Sequence, residues 1–350
     1  MQGPAGAGPS GDRAPAAGED VLGESVRDAA RTLSPASDVT LFAHVNPDAD
    51  ALGSALALGM ALRRRGAAVR VSFGSPHEVP RALRDLDVEG CLVPAESLPE
   101  ASQLVVVLDT GSAERLGKLA EHVERSISRG GRVLVVDHHV ANTRFGTQHL
   151  IDEGAEATVL LVLRLLDELG VQLDEALARC VYAGLVTDTR SFRNASAPVH
   201  RVAARLLEAG VEPEALARRL MDTHPFAWQR MVAGVLAESR LEREAAGGLG
   251  FAHATIELAR WEGLPVEELD SVIDVVRTAA EAEVTAVFKE LEPNRFAVSL
   301  RAESRVDVGW AAAACGGGGH RLASGFTDEG PVEQLLARLR RALDEAPLLD

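Results

Sequence analysis

The sequence predicts an α/β fold with two domains, an N-terminal domain with a mostly parallel sheet flanked by helices and a smaller C-terminal α+β domain. The length of 350 residues suits two domains, and a hydrophobic content of 46% is enough for two cores. Short, wholly apolar runs at 104–108 and 132–136 stand between helical segments, as buried parallel strands do. From about residue 250, β-like segments resume and indicate a second sheet.

The elements of the N-terminal domain are predicted from hydrophobic periodicity and turn signals. Residues 39–43 and 68–73 are β-rich and flank a helical pattern at 51–65, which Gly66 ends, so a β-α-β alternation begins here. Further helices are predicted at 21–33, 158–169, 176–186 and 199–209. The first stretch, MQGPAGAGPSGDRAPAAG, has no hydrophobic period and predicts a disordered tail over 1–18.

The C-terminal domain is predicted to combine a few strands with two longer helices. The strands are expected at 250–257, 284–288 and 296–300, and the helices at 269–282 and 332–343. A more charged helical stretch at 211–240 precedes this domain and is interpreted as a connector. The predicted organisation is a tail (1–18), an N-terminal domain (19–210), a connector (211–240) and a C-terminal domain (241–350).

Composition limits the partners of the chain. With 36 basic and 52 acidic residues the formal charge is −16, which argues against a broad electrostatic surface for long nucleic acid. A small phosphorylated molecule, bound by metals and a few arginines, is compatible with this charge. Cys91, Cys180 and Cys315 are scattered and odd in number, so we expect a reducing cytoplasm. No apolar run approaches the roughly 18 residues of a membrane span, so no membrane partner is expected.

The segment around His44 combines one imidazole and two carboxylates directly after a predicted strand. His44, Asp48 and Asp50 fall within seven residues. Ligands of open α/β sheets bind beyond the carboxyl ends of the strands, where this loop is expected. Taken alone, an Asp-rich turn at this point is more typical of helix capping than of metal ligation, because Asp favours turns and N-caps.

Other acidic and imidazole residues follow predicted strands or end a predicted helix in the same way. The full set is His44, Asp48, Asp50, Asp109, Asp137, His138, His139 and Asp188. Clustered carboxylates repel each other and raise each other's pKa, so a bound divalent cation is the simplest way to hold them together. Carboxylates and imidazoles without a thiolate favour Mn²⁺ over zinc or calcium, with Mg²⁺ or Co²⁺ as substitutes.

These residues resemble the motifs of a known family. The similarity is to the four motifs of the DHH phosphoesterase superfamily and to the glycine-rich motif of its DHHA1 domain. The matching residues are His44-Val45-Asn46-Pro47-Asp48-Ala49-Asp50, Asp109, Asp137-His138-His139, Asp188 and Gly316-Gly317-Gly318-Gly319-His320. Length and motif order resemble the short-oligonucleotide ribonucleases (nanoRNases) of this family, which also act as 3'-phosphoadenosine 5'-phosphate (pAp) phosphatases.

The resemblance implies a two-metal hydrolase with an active cleft between a DHH domain and a DHHA1 domain. His44 and Asp48 would bind one metal, and Asp109 would bridge both. The second metal would be bound by Asp50, His138 and Asp188. Asp137 would orient a ligand, and His139 would face the substrate phosphate. Two cations about 3.5 to 4 Å apart can activate a water and stabilise both oxygens of an in-line displacement, so no covalent intermediate is expected.

The C-terminal domain is expected to select the substrate. The backbone of Gly317, Gly318 and Gly319 can approach a phosphate, and His320 adds a donor. The resemblance also assigns Arg301, Ser304 and Arg305 to substrate binding, with Arg301 as the bidentate phosphate contact. Arg193, five residues after Asp188, is a further phosphate candidate or a surface ion pair. The glycine run does not open a helix after a strand, so a dinucleotide-binding fold is excluded.

The leading hypothesis is a Mn²⁺-dependent phosphodiesterase and phosphatase that hydrolyses very short RNA and pAp. Cyclic dinucleotides or their linear products, on which some members of the family act, are a further substrate class. An inorganic pyrophosphatase or polyphosphatase of the same superfamily is the enzymatic alternative. A nucleotide-binding sensor on an inactive hydrolase scaffold is the alternative from another class, although none of the expected ligands is missing. A homodimer is compatible with the family resemblance.

Overall fold

The computed structural model describes residues 17–349, which form two compact units divided between Pro213 and Glu214. Residues 1–16 of the predicted tail lie outside the described residues. The first unit contains a parallel sheet flanked by helices, and the second contains a mixed sheet with helices. The fold class predicted from the sequence is therefore confirmed in each unit.

The first unit is built on a five-stranded parallel sheet with the strand order β2-β1-β3-β4-β5. Its strands are β1 (Asp38–Ala43), β2 (Ala68–Phe73), β3 (Leu104–Leu108), β4 (Arg132–Asp137) and β5 (Gln148–Ile151). Every residue of β3 is buried, because helices cover both faces of the sheet. This explains why the predicted strands are wholly apolar and do not alternate with polar residues.

Six helices accompany this sheet in the described part of the first unit. They are α1 (Ala17–Leu33), α2 (Ala49–Arg64), α3 (Ala120–Ser128), α4 (Thr158–Glu168), α5 (Glu175–Asp188) and α6 (Ala197–Glu208). Helix α2 is rich in Ala, Leu and Gly and is buried along nearly all its length. It packs closely on α5, since a Cβ at Gly53 would lie 2.5 Å from the carbonyl oxygen of Cys180. The small residues of α2 are therefore required for this close packing.

Strand β5 and helix α3 are elements of the first unit that the sequence did not predict. Gln148, His149 and Ile151 are only half-buried, and Leu150 alone is fully buried. The strand pairs in parallel with β4 at the edge of the sheet. An edge strand with polar residues lacks both the apolar run and the clear alternation that indicate a strand.

The second unit contains a six-stranded mixed sheet with the order β10-β11-β9-β8-β7-β6. Its strands are β6 (Arg240–Glu242), β7 (Phe251–Ile256), β8 (Val284–Glu292), β9 (Arg295–Ala302), β10 (Gly318–His320) and β11 (Ala323–Glu329). Strands β7 and β8 are parallel, and the other pairs are antiparallel. Strands β6, β10 and β11 were not predicted, because two of them are three residues long and β11 carries one large apolar residue, Phe326.

Helices lie on both faces of this second sheet. They are α7 (Pro213–Met221), which begins at the division between the units, α8 (Phe226–Glu238), α9 (Ala245–Gly248), α10 (Val272–Val276), α11 (Val308–Ala314) and α12 (Val332–Glu345). One core packs Leu300 of β9 with Leu339 of α12, and the other packs Val235 of α8 with Ile256 of β7. The stretch predicted as a connector thus forms α7 and α8, and α8 contributes to a core of this unit.

The helix predicted at 269–282 was wrong for most of its length. The chain forms a 3₁₀ turn at Val266–Leu269 and the short helix α10, then a series of turns. The hydroxyl of Thr278 donates to the carbonyl oxygen of Val275 at 2.7 Å, a bond that competes with helix propagation. The chain then turns at Ala282 into β8, which is paired on both sides. Pairing with distant strands overrides the local helical pattern here.

Two further sequence-based expectations concern thiols and membranes. Cys91, Cys180 and Cys315 are all buried free thiols. Burial raises the pKa of the Cys180 thiol to about 12. Among the described residues, no helix combines the length and apolar character needed to cross a bilayer.

Replacing Gly53 by Ala is expected to destabilise the first unit through overpacking of α2 against α5. The new methyl group would contact the Cys180 backbone, which cannot rotate away, so we expect a loss of about 1–3 kcal/mol in the free energy of unfolding. Urea unfolding measures this loss. Gly59→Ala on the same helix is the control, because its methyl group would meet only side-chain atoms, at 3.0 Å or more. Equal losses in both variants would contradict this account.

Candidate metal centre

The candidate site lies at the carboxyl edge of the parallel sheet in the first unit. Strands β1, β3 and β4 are neighbours and run in the same direction, so the residues that follow them meet at one edge. His44 follows β1, Asp109 follows β3, and His138 follows β4. Asp188 is the last residue of α5, whose packing on α2 brings its carboxyl end to this edge. The convergence predicted from strand ends is therefore present in the structure.

Asp48 caps helix α2 and also belongs to the cluster. Its Oδ1 accepts hydrogen bonds from the backbone N–H groups of Asp50, at 3.1 Å, and Ala51, at 2.9 Å. Its other oxygen, Oδ2, lies 3.6 Å from Nε2 of His44. One carboxylate oxygen is thus used for capping, while the second faces an imidazole.

Asp109 belongs to three groups of possible metal donors, one of them with Asp137 and His139, and the other two contain the ligands predicted from the sequence. In the first of these two groups, donor atoms of His44, Asp48 and Asp109 all lie within 4.8 Å of one another. In the second, donor atoms of Asp50, Asp109 and His138 meet the same condition. The Oδ2 atom of Asp109 is 3.7 Å from His44 Nε2, and Oδ1 is 3.5 Å from His138 Nε2. The two oxygens of this carboxylate therefore face different groups.

Asp188 joins the second group through His138. Its Oδ2 lies 3.6 Å from Nε2 of that histidine, and Asp50 Oδ2 lies 4.0 Å from the same atom. The other ring nitrogen, Nδ1, is 3.0 Å from the carbonyl oxygen of Ala155. A backbone acceptor at Nδ1 fixes the ring so that Nε2 is presented to the carboxylates. Asp50, Asp109, His138 and Asp188 therefore lie together around the Nε2 atom of His138.

Helix α4 holds two of the carboxylates. The backbone N–H groups of Thr158 and Val159 donate to Asp50 Oδ2 and Oδ1, at 2.6 and 2.9 Å. The hydroxyl of Thr158 donates to Asp109 Oδ1 at 2.8 Å. All of these bonds are buried. Thr is common at the start of a helix, so nothing local in the sequence indicates that Thr158 contacts residues more than 45 positions away.

Asp137 and His139 form a pair beside Asp109. Nδ1 of His139 is 2.7 Å from Asp137 Oδ1, and Asn142 donates through Nδ2 to Asp137 Oδ2 at 2.5 Å. The same amide of Asn142 donates to the carbonyl oxygen of Thr110 at 3.1 Å. Asp137 is fully buried and contacts His139. Asp137 therefore connects His139 to Asn142, and the contribution of Asn142 was not predicted from the sequence.

The backbone is strained next to several of these groups. Asn46 and Asp109 have positive φ values of 51° and 54°. Three consecutive non-glycine residues just after Asp188, namely Arg190, Ser191 and Phe192, have φ values of 51°, 57° and 65°. Non-glycine residues with positive φ are uncommon, and such strain concentrates at functional sites. The strain here coincides with three of the four segments that form the cluster.

The carboxylates raise each other's pKa. Burial raises the pKa of Asp50 well above its ordinary range, and the charge of Asp109 raises it further. Burial, followed by the charge of Asp50, has the same effect on the pKa of Asp188. The pKa of Asp109 is also raised, by burial and by the charge of Asp48. Without a cation, the folded protein therefore disfavours the ionised form of three carboxyl groups.

The imidazoles partly offset this negative charge. Burial lowers the pKa of His44, but the hydrogen bond with Asp48 and the charges of Asp48 and Asp109 together outweigh burial, so the pKa of His44 is raised overall. In the same way, burial lowers the pKa of His139, but the hydrogen bond with Asp137 and the charges of Asp109 and Asp137 together raise that pKa overall. Burial raises the pKa of Asp137, but the hydrogen bonds with His139 and Asn142 and the charge of His139 together lower that pKa overall.

The donor set fits divalent cations that prefer oxygen and imidazole ligands. Each group contains carboxylate oxygens and one imidazole nitrogen, and the three cysteines lie elsewhere. Such a set suits Mn²⁺ and, with more restricted geometry, Mg²⁺ or Co²⁺. A cation at each group would also relieve the repulsion that raises the pKa of the buried carboxyl groups.

Two of the substrate-binding residues predicted in the second unit share one face of its sheet. Arg301 of β9 is paired with Ala323 of β11, and Ala323 is paired with His320 of β10. Directly paired residues of antiparallel strands point to the same side. Arg301 and His320 therefore flank the small Ala323 on one face of the sheet.

Packing within the second unit also explains part of the glycine run at 317–319. A Cβ at Gly317 would lie 2.1 Å from the carbonyl oxygen of Gly325, and Gly319 has a φ of 139°. A Cβ at Gly318 would meet no atom within 4 Å. Close pairing of β10 and β11 therefore explains Gly317 and Gly319, while Gly318 is the position of the three that packing leaves open.

The loop that contains Ser304 and Arg305 already binds a carboxylate. Backbone N–H groups of Ser304, Arg305 and Val306 all donate to Oε1 of Glu283, at 2.9, 2.5 and 3.2 Å. These three donors are therefore engaged within the second unit. Any contact of this loop with substrate must involve the side chains of Ser304 and Arg305 instead of the backbone.

Two arginines of the first unit lie near the cluster in sequence or in space. The side chain of Arg193 is exposed, in the loop that follows the strained turn. The carbonyl oxygen of Arg115 accepts a hydrogen bond from Val45 N at 2.8 Å, which fixes its backbone beside His44. The charge of Arg115 is among the groups that lower the pKa of His44 and His139. Sequence reasoning missed Arg115, because it follows Asp109 within an ordinary charged turn.

A cavity of about 880 Å³ lies elsewhere, in the second unit. Its lining includes Trp261, Phe296 and Val332, near the opposite end of β9 from Arg301. None of the residues predicted to bind metal or substrate lines it. The chemistry of the clusters, rather than cavity size, therefore identifies the candidate site.

The parallel sheet, the paired groups of carboxylates and imidazoles, and the second mixed sheet define a two-domain phosphoesterase. The chain belongs to the DHH family. The profile of the "DHH family, N-terminal domain" matches residues 38–185, and the profile of the "DHHA1 domain" matches residues 251–346. The family resemblance inferred from the motifs is thereby confirmed.

Similar proteins cover most of the chain. It is 34% identical over 306 residues to "Bifunctional oligoribonuclease and PAP phosphatase NrnA" of Thermus thermophilus, which is 86% of this chain and 88% of that protein. The protein of the same name from Bacillus subtilis is 25% identical over 301 residues, covering 84% of this chain and 90% of that protein.

One further relative aligns with less than half of the chain, and one solved structure matches nearly the whole chain at low sequence identity. A Deinococcus radiodurans protein named "Probable manganese-dependent inorganic pyrophosphatase" is 29% identical over 160 residues, which is 45% of this chain and 48% of that protein. The crystal structure of an exopolyphosphatase-related protein from Bacteroides fragilis matches with a TM-score of 0.81 at 20% identity, covering 92% of this chain and 96% of that chain. The latter likeness supports the fold.

Replacing Gly184 by Ala is expected to weaken Mn²⁺ binding although Gly184 has no ligand atom. The new Cβ would lie 2.7 Å from Oδ1 of Asp50 and 2.7 Å from Cγ1 of Val159. It would displace Asp50 from the start of α4, and we expect the dissociation constant for Mn²⁺, measured by calorimetry, to rise by about tenfold.

Gly146→Ala is the matched control for this prediction. Its Cβ would lie 2.7 Å from Cγ2 of Val135 and 2.8 Å from the carbonyl oxygen of Val133, so overpacking is similar, but no ligand is touched. If both variants bind Mn²⁺ with the affinity of the unchanged protein, Gly184 does not support the position of Asp50.

Proposed function

We propose that this protein is a Mn²⁺-dependent phosphodiesterase and phosphatase that hydrolyses short oligoribonucleotides to 5'-nucleotides and also hydrolyses pAp. The observation that carries the proposal is the pair of ligand groups that share Asp109, one with His44 and one with His138. Two sites that share a carboxylate suit an in-line displacement at phosphorus. Cyclic dinucleotides or their linear products are a further substrate class within this proposal.

Each residue of the site has a role that follows from its contacts. Divalent cations, when bound, polarise the phosphoryl group and lower the pKa of water. His44, Asp48 and Asp109 would bind one cation, and Asp109, Asp50, His138 and Asp188 the other. His139 is half-buried, and its hydrogen bond with Asp137 fixes the ring and raises its pKa, so it can donate a hydrogen bond to a phosphate oxygen.

Residues of the second unit are proposed to select the substrate. Arg301 and His320 occupy one face of the sheet and can supply charge-assisted hydrogen bonds to a phosphate. Gly318, in the same strand as His320, leaves open space beside them. The side chains of Ser304, Arg305 and Arg193 are proposed as further contacts. Homodimer formation and a reducing cytoplasmic location stay predictions from the sequence.

The relatives support this function over the alternatives. Those named as oligoribonuclease and PAP phosphatase align along both domains of this chain, whereas the pyrophosphatase from D. radiodurans aligns along less than half. A non-catalytic nucleotide sensor would be expected to lack metal ligands, and all six predicted ligands are present in the cluster.

A substrate panel tests the proposed function. The metal-loaded protein is incubated with the dinucleotide pApA, with pAp, with a cyclic dinucleotide, with pyrophosphate and with a long single-stranded RNA. We expect pApA and pAp to be hydrolysed, chelation by EDTA to abolish the activity, and added Mn²⁺ to restore it. Faster turnover of pyrophosphate would favour the pyrophosphatase alternative, and faster turnover of the long RNA would exclude a short-substrate enzyme.

Removal of the shared carboxylate tests whether the cluster is catalytic. Asp109→Ala is expected to lower kcat by about a hundredfold or more, since both cations lose a ligand. Asp152→Ala is the control, because that carboxylate accepts a turn hydrogen bond from Gly154 N and belongs to neither group. Unchanged phosphate release in Asp109→Ala would leave the sensor alternative as the better explanation.

Arg115 is expected to contribute to binding of the substrate phosphate. Its backbone is fixed beside His44, and its charge acts on the cluster. Arg115→Ala should raise KM for pAp by about tenfold, the equivalent of one charge-assisted hydrogen bond. Lys118→Ala is the control, because Lys118 forms a surface ion pair with Glu96 at 2.5 Å. An equal change in both variants would assign the effect to net charge alone.

A further inference from the structure

Thr158 occupies a position where one residue contacts carboxylates from two separate segments. It is the first residue of α4 and has no exposed surface. Its backbone N–H donates to Asp50 at 2.6 Å, and its hydroxyl donates to Asp109 at 2.8 Å. These acceptors come from α2 and from the loop after β3, more than 45 residues away. Thr158 therefore joins segments that are independent in the sequence.

The start of α4 explains why Asp50 is one of the partners. The residue before the helix, Ala157, has no side-chain cap, so the first N–H groups need another acceptor. Both oxygens of Asp50 supply it, through Thr158 and Val159. Asp50 thus caps a helix other than its own, and this requirement fixes its carboxylate plane.

The hydroxyl of Thr158 does not serve the helix in this way. It donates to Oδ1 of Asp109, the oxygen that faces His138, while Oδ2 faces His44 at 3.7 Å. Rotation of this carboxylate about its last torsion would exchange or misalign the two oxygens. A donor fixed on one oxygen selects the orientation in which each oxygen faces one ligand group.

We propose that Thr158 is a positioning residue that orients the carboxylate of Asp109 between the two ligand groups. Its role is exerted through Asp109, and it contacts neither cation nor substrate. This inference rests on the metal-binding part of the proposed function. A purely structural role, in which the hydroxyl bond only stabilises the fold, is the alternative that the experiment must distinguish.

The chain contains a matched control for this distinction. Thr40 in β1 is also completely buried, and its hydroxyl forms a hydrogen bond of the same length, 2.8 Å, with Ser102. Neither Thr40 nor Ser102 belongs to a ligand group. Thr→Val at either position removes one buried hydroxyl hydrogen bond with little change in shape, so both variants lose fold stability for the same reason.

The experiment measures Mn²⁺ binding to the full-length chain by calorimetry and Tm in EDTA, for Thr158→Val, Thr158→Ser and Thr40→Val. We expect both Val variants to lower Tm in EDTA. Only Thr158→Val should weaken Mn²⁺ binding, by about 10- to 100-fold, and Thr158→Ser should restore it. Should either Val variant fail to fold, Thr158→Ala and Thr40→Ala replace the pair.

Two outcomes would overturn the inference. One is a Mn²⁺ affinity of the Thr158 variant equal to that of the Thr40 variant, which would leave a structural role alone. The other is absence of Mn²⁺ binding by the unchanged protein, which would also remove the basis of the proposed function. If Thr158→Val weakens Mn²⁺ binding but the unchanged protein hydrolyses none of the substrates, the positioning role stands and the proposed function fails.

Discussion

Repulsion among carboxylates at one sheet edge is the constraint on which the first unit depends. Asp50, Asp109 and Asp188 are brought together by the fold, and burial with mutual charge raises the pKa of each. Three features offset this repulsion. They are the imidazoles, the N-terminal N–H groups of α4, and the cations that the donor set fits. The protein is therefore expected to reach its full stability only when metal is bound.

The core of the first unit is shaped by the need to hold these carboxylates. Helices α2 and α5 supply Asp50 and Asp188, and they approach each other so closely that Gly53 and Gly184 have no space for a Cβ. Apolar side chains stabilise this contact, and the glycines set its distance. The same close packing that buries α2 brings Asp50 of α2 and Asp188 of α5 to the same ring nitrogen of His138, at 4.0 and 3.6 Å. The packing of α2 on α5 therefore also sets the positions of these two ligands.

The sequence predicted the elements whose signal is local. Strand β3 was predicted with its observed limits, and the ligand groups follow from strand ends in a parallel sheet. Strands β5 and β11 were missed because their residues carry little apolar character and owe their conformation to pairing. Thr158, Asn142 and Arg115 were missed for a related reason, since their contacts depend on tertiary proximity that no local pattern encodes.

Asp48 illustrates why capping and ligation are poor alternatives at such a site. A capping carboxylate uses one oxygen for backbone N–H groups, as Asp48 does with Oδ1, and its second oxygen remains available. The cap also fixes the side chain, so the free oxygen has a defined direction towards His44. Asp50 performs the same double function for α4. In this fold, helix starts orient the acidic ligands, so an Asp-rich helix start strengthens the prediction of a metal site.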